Sequence, residues 1–193
     1  MAAAFVFGLW WLAIDFNAIL SGIGKLGQFV VLMLPPNPGH LAPIYFKALF
    51  ETLAISLLGT LAAALIAFPL GILAAFYRKA DPWIMRAVDV MLAFPAILIG
   101  LAVAAISGSG LASVVVALVV STVPDVARVA RGAAVGVMGQ EFMEAGRAIG
   151  VGHRALIWRY LTLNCLSTIS VFLTLRFGQV ILVGSALGFL GLG

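Results

Sequence analysis

Charge is the scarcest thing in this chain. Only 9% of its 193 residues are Asp, Glu, Lys or Arg, against 64% hydrophobic, and the mean hydropathy is +1.20. A water-soluble domain carries roughly a quarter charged residues, so this composition excludes one: most of the surface must face lipid or apolar protein. Cysteine is nearly absent too. The single Cys165 excludes an internal disulfide and, in its Leu/Thr/Ser-rich surroundings, reads as a small buried residue. The two histidines, His40 and His153, stand far apart in sequence. No H-E-x-x-H, cysteine cluster or paired carboxylate offers a metal or acid–base site. No G-x-x-x-x-G-K-S/T occurs, so the chain has no P-loop with which to hydrolyse ATP. Neither an enzyme nor a resident cofactor is expected. The net charge of +4 is not a nucleic-acid signal here, because in a membrane protein the placement of Lys and Arg reports orientation.

What the sequence does hold is one apolar run after another. A helix needs about 20 such residues to cross about 30 Å of hydrocarbon. A first span is expected from about Ala2 to Leu20, without the basic leader of a signal peptide. It carries Asp15, which would mark a polar path if deep; with Asn17 and Ser21 close behind, the outer interface is the expected place. The stretch around Lys25 reads as an interfacial helix, and LPPNPGH at 34–40 as a turn. Thr52–Tyr77 is a second span, 26 residues without a charge. At 1.5 Å per residue it is about 39 Å long, so it tilts, overhangs or kinks at Pro69. YRKADPWIMR at 77–86 reads as a short polar loop. Val90–Pro124, 35 residues without a charge, is too long for one span, and SGSG at 107–110 divides it into a third (about 88–106) and a fourth (about 111–129). A fifth begins near Leu161 and contains Arg176. Pro69, Pro95 and Pro124 are candidate kinks, and Gly59, Thr60, Ala63 and Ala64 suit close helix packing. The expected fold is an all-α polytopic membrane bundle of about five spans, forming one domain over residues 1–193.

Basic residues set an expected orientation. Arg78, Lys79, Arg86, Arg128, Arg131, Arg147, Arg154 and Arg159 fall in or beside the 78–87 loop and the 128–160 segment, and only Lys25 and Lys47 fall towards the other side. Those loops and the N-terminus are therefore expected in the cytoplasm.

One patch interrupts the apolar pattern: EFMEAGRAIGVGHRALIWRYL at 141–161, inside a polar segment of about 131–160. Glu141–Ile149 holds good helix formers and no breaker. Gly150 suits the left-handed position just past a helix end, and a second helix can start at His153 and run into the fifth span. Glu144 and Arg147 are spaced to pair on one face. The product is a short surface helix joined by a sharp turn to a membrane helix, which has the form of a lever; an ordinary solvated loop is the alternative.

The same residues resemble the EAA loop of ABC importer permeases: Glu-Ala-Ala, three residues, Gly, nine residues, then an Ile-x-Leu-Pro exit. Glu144, Ala145 and Gly146 stand at the triplet, and Gly150 has the family spacing. The resemblance implies that this loop docks on an ATPase subunit, with Glu144 and Arg147 as polar contacts, Ala145 and Gly146 allowing close approach, and Gly150 making the turn. The block from DVMLAFPAILIG through SALGFLGLG, about 84–193, looks like the dipeptide/oligopeptide/nickel permeases. Residues of about 17–79 look more like phosphonate-type permeases. Both imply a type I ABC importer permease fold. They also imply a second permease subunit as homo- or heterodimer partner, ATPase subunits that bind the ATP, and an extracytoplasmic solute-binding protein, all at a bacterial inner membrane. Peptides lead as the substrate class, with nickel and phosphonates as alternatives. There are departures. Gly146 replaces the second alanine, and Leu161-Thr162-Leu163-Asn164 lacks the exit proline, which would let the helix run straighter. The family continues past FLGLG with a further helix, so a fragment or a non-transporting remnant is an alternative expectation. Arg176 is expected to line the pathway, meet a partner subunit or snorkel. A secondary transporter or channel, the rival of another class, would leave the EAA-like loop unexplained.

Overall fold

The computed structural model describes residues 16–33 and 39–192. The chain divides into two compact units, Met1–Phe46 and Lys47–Gly193. In the first, helix α1 spans Phe16–Met33 and a 3-10 turn spans Gly39–Leu41. The apolar part of α1, Leu20–Leu32, is about 20 Å long at 1.5 Å per residue, short of the hydrocarbon thickness. The stretch around Lys25 is thus helical, as expected. Most of the first expected span, Asp15 included, lies outside the described residues.

Among the described residues, three helices are long and apolar enough to cross a membrane: Gly39–Phe76, Leu111–Met138 and His153–Phe189. Helix α2, Ala42–Phe76, begins well before the charge-free run, with Lys47 and Glu51 exposed in its first turns. Pro69 lies inside α2 without ending it. Its buried face is a ladder of small residues at three- and four-residue steps: Ser56, Thr60, Ala63, Ala67, Gly71 and Ala74. Lipid gives helices no hydrophobic reason to associate, so close backbone approach must supply the contact. Glycine permits it here. A Cβ on Gly59 would stand 3.0 Å from the Leu118 Cβ, and one on Gly71 would stand 2.6 Å from both the Ala127 carbonyl oxygen and the Ala130 Cβ.

The third expected span is not one helix. Helices α3, Asp81–Leu92, and α4, Ala96–Ser107, meet at 91°. Pro95 lacks an N–H and drives Phe94 away from helical backbone, so the chain breaks at 93–95 instead of bending gently. Alone, α4 spans about 18 Å and does not cross. The segment read as a loop at 77–86 is largely the first half of α3.

The glycines at 108 and 110, both at positive φ, end α4 and lead into α5, Leu111–Met138. This helix contains Pro124 and continues past the expected end near residue 129. Helix α6 is Glu141–Ala148. The last helix, α7, runs unbroken over His153–Phe189, with a π-helical stretch at Leu156–Thr162. Three buried clusters hold the second unit together. Ile72, Ala134, Met143, Leu156, Ile157, Leu161 and Cys165 join α2, α5, α6 and α7. Ala67, Val88, Val126 and Ala127 join α2, α3 and α5. Val114, Ala117, Leu118, Val180 and Leu187 join α5 and α7 at the far end. Cys165 is fully buried in the first cluster, as its surroundings predict.

Candidate coupling site

The polar segment read as about 131–160 is mostly helical. Its only non-helical pieces are 139–140 and 149–152, on either side of α6. Glu141 and Glu144 both lie in the first turn of α6, where carboxylates favour the positive end of the helix dipole. Two residues one turn apart, Met143 and Gly146, are buried, and Glu144, Ala145 and Arg147 are exposed on the other side. Met143 inserts into the cluster with Leu156, Leu161 and Ile72.

The turn after α6 closes in two hydrogen bonds. The Gly150 N–H donates to the Arg147 carbonyl at 3.1 Å, and the Val151 N–H donates to the Gly146 carbonyl at 3.0 Å. Gly150 has φ +79°. This is a Schellman motif, with glycine at the left-handed position and an apolar residue after it. Val151 packs on the same cluster as Met143. The link from α6 to α7 is therefore short and pinned by backbone hydrogen bonds.

Gly146 faces inward. A Cβ there would meet the Leu156 Cδ2 at 3.2 Å, so the glycine at the second-alanine position makes room for a residue of this chain's own α7. The absent exit proline is also accounted for. The helix is not broken at Leu163; just before it the backbone widens into the π-helical turn. Bonds from i to i+5 stack residue 156 over residue 161, and Leu156 and Leu161 are accordingly both buried against Met143.

The expected Glu144–Arg147 pair does not form. Among the described residues three ion pairs are made, and neither residue joins one. Both side chains are exposed, where an i,i+3 pair gains only a few tenths of a kcal/mol. Arg147 instead lines a cleft of about 350 Å³ with Phe76, Tyr77, Arg78, Lys79 and His153. The Phe76 and His153 rings meet edge to face at 5.5 Å, joining the end of α2 to the start of α7.

The three ion pairs all involve α5. Arg131 forks onto Asp81 of α3, with Nε–Oδ1 and Nη2–Oδ2 both at 2.5 Å. Arg128 pairs with Asp89, also of α3. The Arg131 guanidinium, chiefly by its hydrogen bond, holds the Asp81 carboxyl below its ordinary range against the opposing effect of burial. Asp81 lies in the polar 77–86 segment, outside the apolar spans. The third pair is the deep one. Arg176 Nη2 meets Asp125 Oδ2 at 2.5 Å, tying α7 to α5. Arg176 Nη1 donates to Gln179 Oε1 at 2.6 Å, and Nε is buried without a partner. Arg176 was legible in the sequence and Asp125 was not singled out. The signal was present: an arginine inside a span commonly pairs with another ionisable residue, and the chain has only seven acidic residues.

Known proteins resemble this chain in sequence. Residues 67–193 match the family described as binding-protein-dependent transport system inner membrane component. The glutathione transport system permease protein GsiD of Pectobacterium atrosepticum is 38% identical over 143 residues, covering 74% of this chain and 48% of that protein. A putative peptide transport system permease protein of Brucella suis is 36% identical over 146 residues, covering 76% and 48%. GsiD of Salmonella typhimurium is 41% identical over 113 residues, covering 58% and 37%. The chain thus spans about half the length of these curated relatives at most.

Proposed function

This chain belongs to the binding-protein-dependent transport system inner membrane component family, and from that premise we propose that it is a permease subunit of an ATP-driven importer. It lines part of the membrane pathway with a second permease subunit. ATPase subunits bind ATP and dock on α6 from the cytoplasm, and a solute-binding protein delivers substrate on the other side. The N-terminus is cytoplasmic in this reading, on the strength of the basic-residue count.

One observation carries the proposal. Helix α6 turns Glu144, Ala145 and Arg147 outward while Met143, Gly146 and the Gly150 turn fasten it to α7. A partner gripping the outer face would displace α7 with it. The cationic cleft beside Arg147 suits acidic side chains on such a partner. Alternating access then follows: closure of the ATPase dimer draws the coupling helices together, and the spans rock open outward. Peptides of a few residues are the favoured substrate class, since the relatives are named as glutathione and peptide permeases.

Co-purification with ATPase subunits from the same transport system tests this. Wild type is expected to capture the ATPase, and Glu144→Lys to lose it without loss of protein. Gly150→Val forces a β-branched residue to positive φ, a strain on the order of 1–3 kcal/mol, and is expected to lose capture. Gly150→Asn, which tolerates the left-handed region, is expected to keep it. Equal capture by Glu144→Lys and wild type would refute the docking role.

A further inference from the structure

At the end of the bundle opposite α6, helices α2, α5 and α7 enclose a cleft of about 390 Å³. Its polar lining is one carboxylate and three hydroxyls. Glu51, Thr52 and Ser56 come from α2, Thr52 and Ser56 one turn apart, and Ser185 comes from α7. No Lys, Arg or His lines it. Glu51 is exposed and takes part in none of the three ion pairs among the described residues. The Thr52 hydroxyl donates to the Ala48 carbonyl at 2.9 Å, leaving its lone pairs to accept. Ser56 is 1% exposed, and its Oγ has no hydrogen-bond partner.

Opposite these groups α7 presents Ser185 between two glycines, Gly184 and Gly188. A Cβ on Gly188 would touch nothing within 4 Å, and one on Gly184 would come within 3.6 Å of the Ser56 Oγ. An apolar helix laid into this space would seal a serine hydroxyl and crowd a carboxylate with nothing to donate to either, which is unfavourable. A group with several N–H donors, one positive charge and a small cross-section fits instead, and an alkylammonium has all three.

We propose that this cleft binds the protonated amine of the transported solute, the α-ammonium of a peptide in the reading above, on which this inference rests. Glu51 supplies the charge, Thr52 and Ser56 accept hydrogen bonds, and Gly184 and Gly188 leave the room.

Charge-selective thiol labelling tests it. In a Cys165→Ala background, Ser185→Cys and Thr52→Cys, the two lining positions that solvent reaches, are introduced separately into the full chain in lipid nanodiscs. Each is treated with trimethylammonium-ethyl or sulfonatoethyl methanethiosulfonate, every rate being normalised to that of a free thiol in solution. One carboxylate about 6 Å away in water sets roughly a tenfold preference for a unit cation over a unit anion. That preference is expected at both positions, and Glu51→Gln is expected to remove most of it. Dialanine should slow the labelling and N-acetyl-dialanine should not. Gly188→Leu should block it by filling the space. Equal cation and anion rates, or equal protection by the acetylated peptide, would overturn the proposal. So would failure of both cysteines to react, which would mean that another helix fills the cleft. No ATPase is present in this assay, so its outcome is read independently of ATPase capture.

Discussion

Removing Asp125 strands the Arg176 guanidinium. Arg176 is 16% exposed and Asp125 32%, so water reaches the carboxylate more easily than the arginine. Unit charges 4 Å apart attract by about 4 kcal/mol at an effective dielectric constant of 20. Breaking a buried pair from one side costs about 3–5 kcal/mol because the remaining charge is uncompensated. Asp125→Asn is therefore expected near the lower bound, about 3 kcal/mol. Arg176→Gln leaves the better-hydrated partner behind and is expected to cost less, about 2 kcal/mol. In the double variant neither charge remains, and amide can meet amide. Its loss is expected at about 2 kcal/mol, where additivity would give about 5, so the coupling energy is about 3 kcal/mol. Thermal unfolding of detergent-solubilised protein, followed by tryptophan fluorescence, reads this. At about 2–4 °C per kcal/mol for a chain of this size, Asp125→Asn should lower Tm by about 6–12 °C. Additive single losses, or an Asp125→Asn shift below about 2 °C, would show that the pair carries no structural weight and refute the reasoning.

Two further outcomes follow from the packing and from the polar rim. Gly71→Ala places a methyl 2.6 Å from the Ala127 carbonyl oxygen and is expected to lower stability by about 1–3 kcal/mol, while Gly178→Ala, with nothing within 4 Å, is expected to raise it by up to about 1 kcal/mol; the same unfolding assay checks both, and equal signs would show that α2 does not rest on the α5 backbone. The lowered pKa of Asp81 means that its contribution is fully present above the ordinary carboxylate value, about 4, and is lost as pH falls through the lowered one. The stability gap between wild type and Asp81→Asn, measured against pH, should be constant near neutrality and narrow at the acid end; a gap that widens on acidification would contradict the Asp81–Arg131 pairing.

Several elements were legible because they are local. The Gly150 turn could be placed from spacing alone, since a helix of good formers that meets glycine has one common way to end, and the structure has φ +79° there. The small residues of α2 announced close packing for the same reason: nothing else lets backbones touch in an apolar environment. The break at 93–95 stayed hidden because a span is judged by summed hydropathy, and Val90–Pro124 is apolar on both sides of it. Pro95 marks a candidate kink in the sequence, but a kink and a break have the same sequence signature. What separates them is the residue before the proline together with the angle that tertiary packing imposes.

The ion pairs were out of reach for a different reason. In the sequence Arg128 and Arg131 report orientation by their position, and position says nothing of partners. Asp81 and Asp89 stand two turns apart on α3, while Arg128 and Arg131 stand less than one turn apart on α5. Both contacts close because the two helices cross, and that crossing exists only once the 91° bend has turned α3 away from the path of α4. One unseen proline break therefore concealed two salt bridges. The same dependence explains why Glu144 and Arg147, spaced so that they can pair, do not. They are sequence neighbours on a helix, but the cleft formed by the ends of α2 and α7 is lined by Arg147, while Glu144 stays on the open face. Local spacing names the pairs that a free helix could make; the fold decides which of them survive.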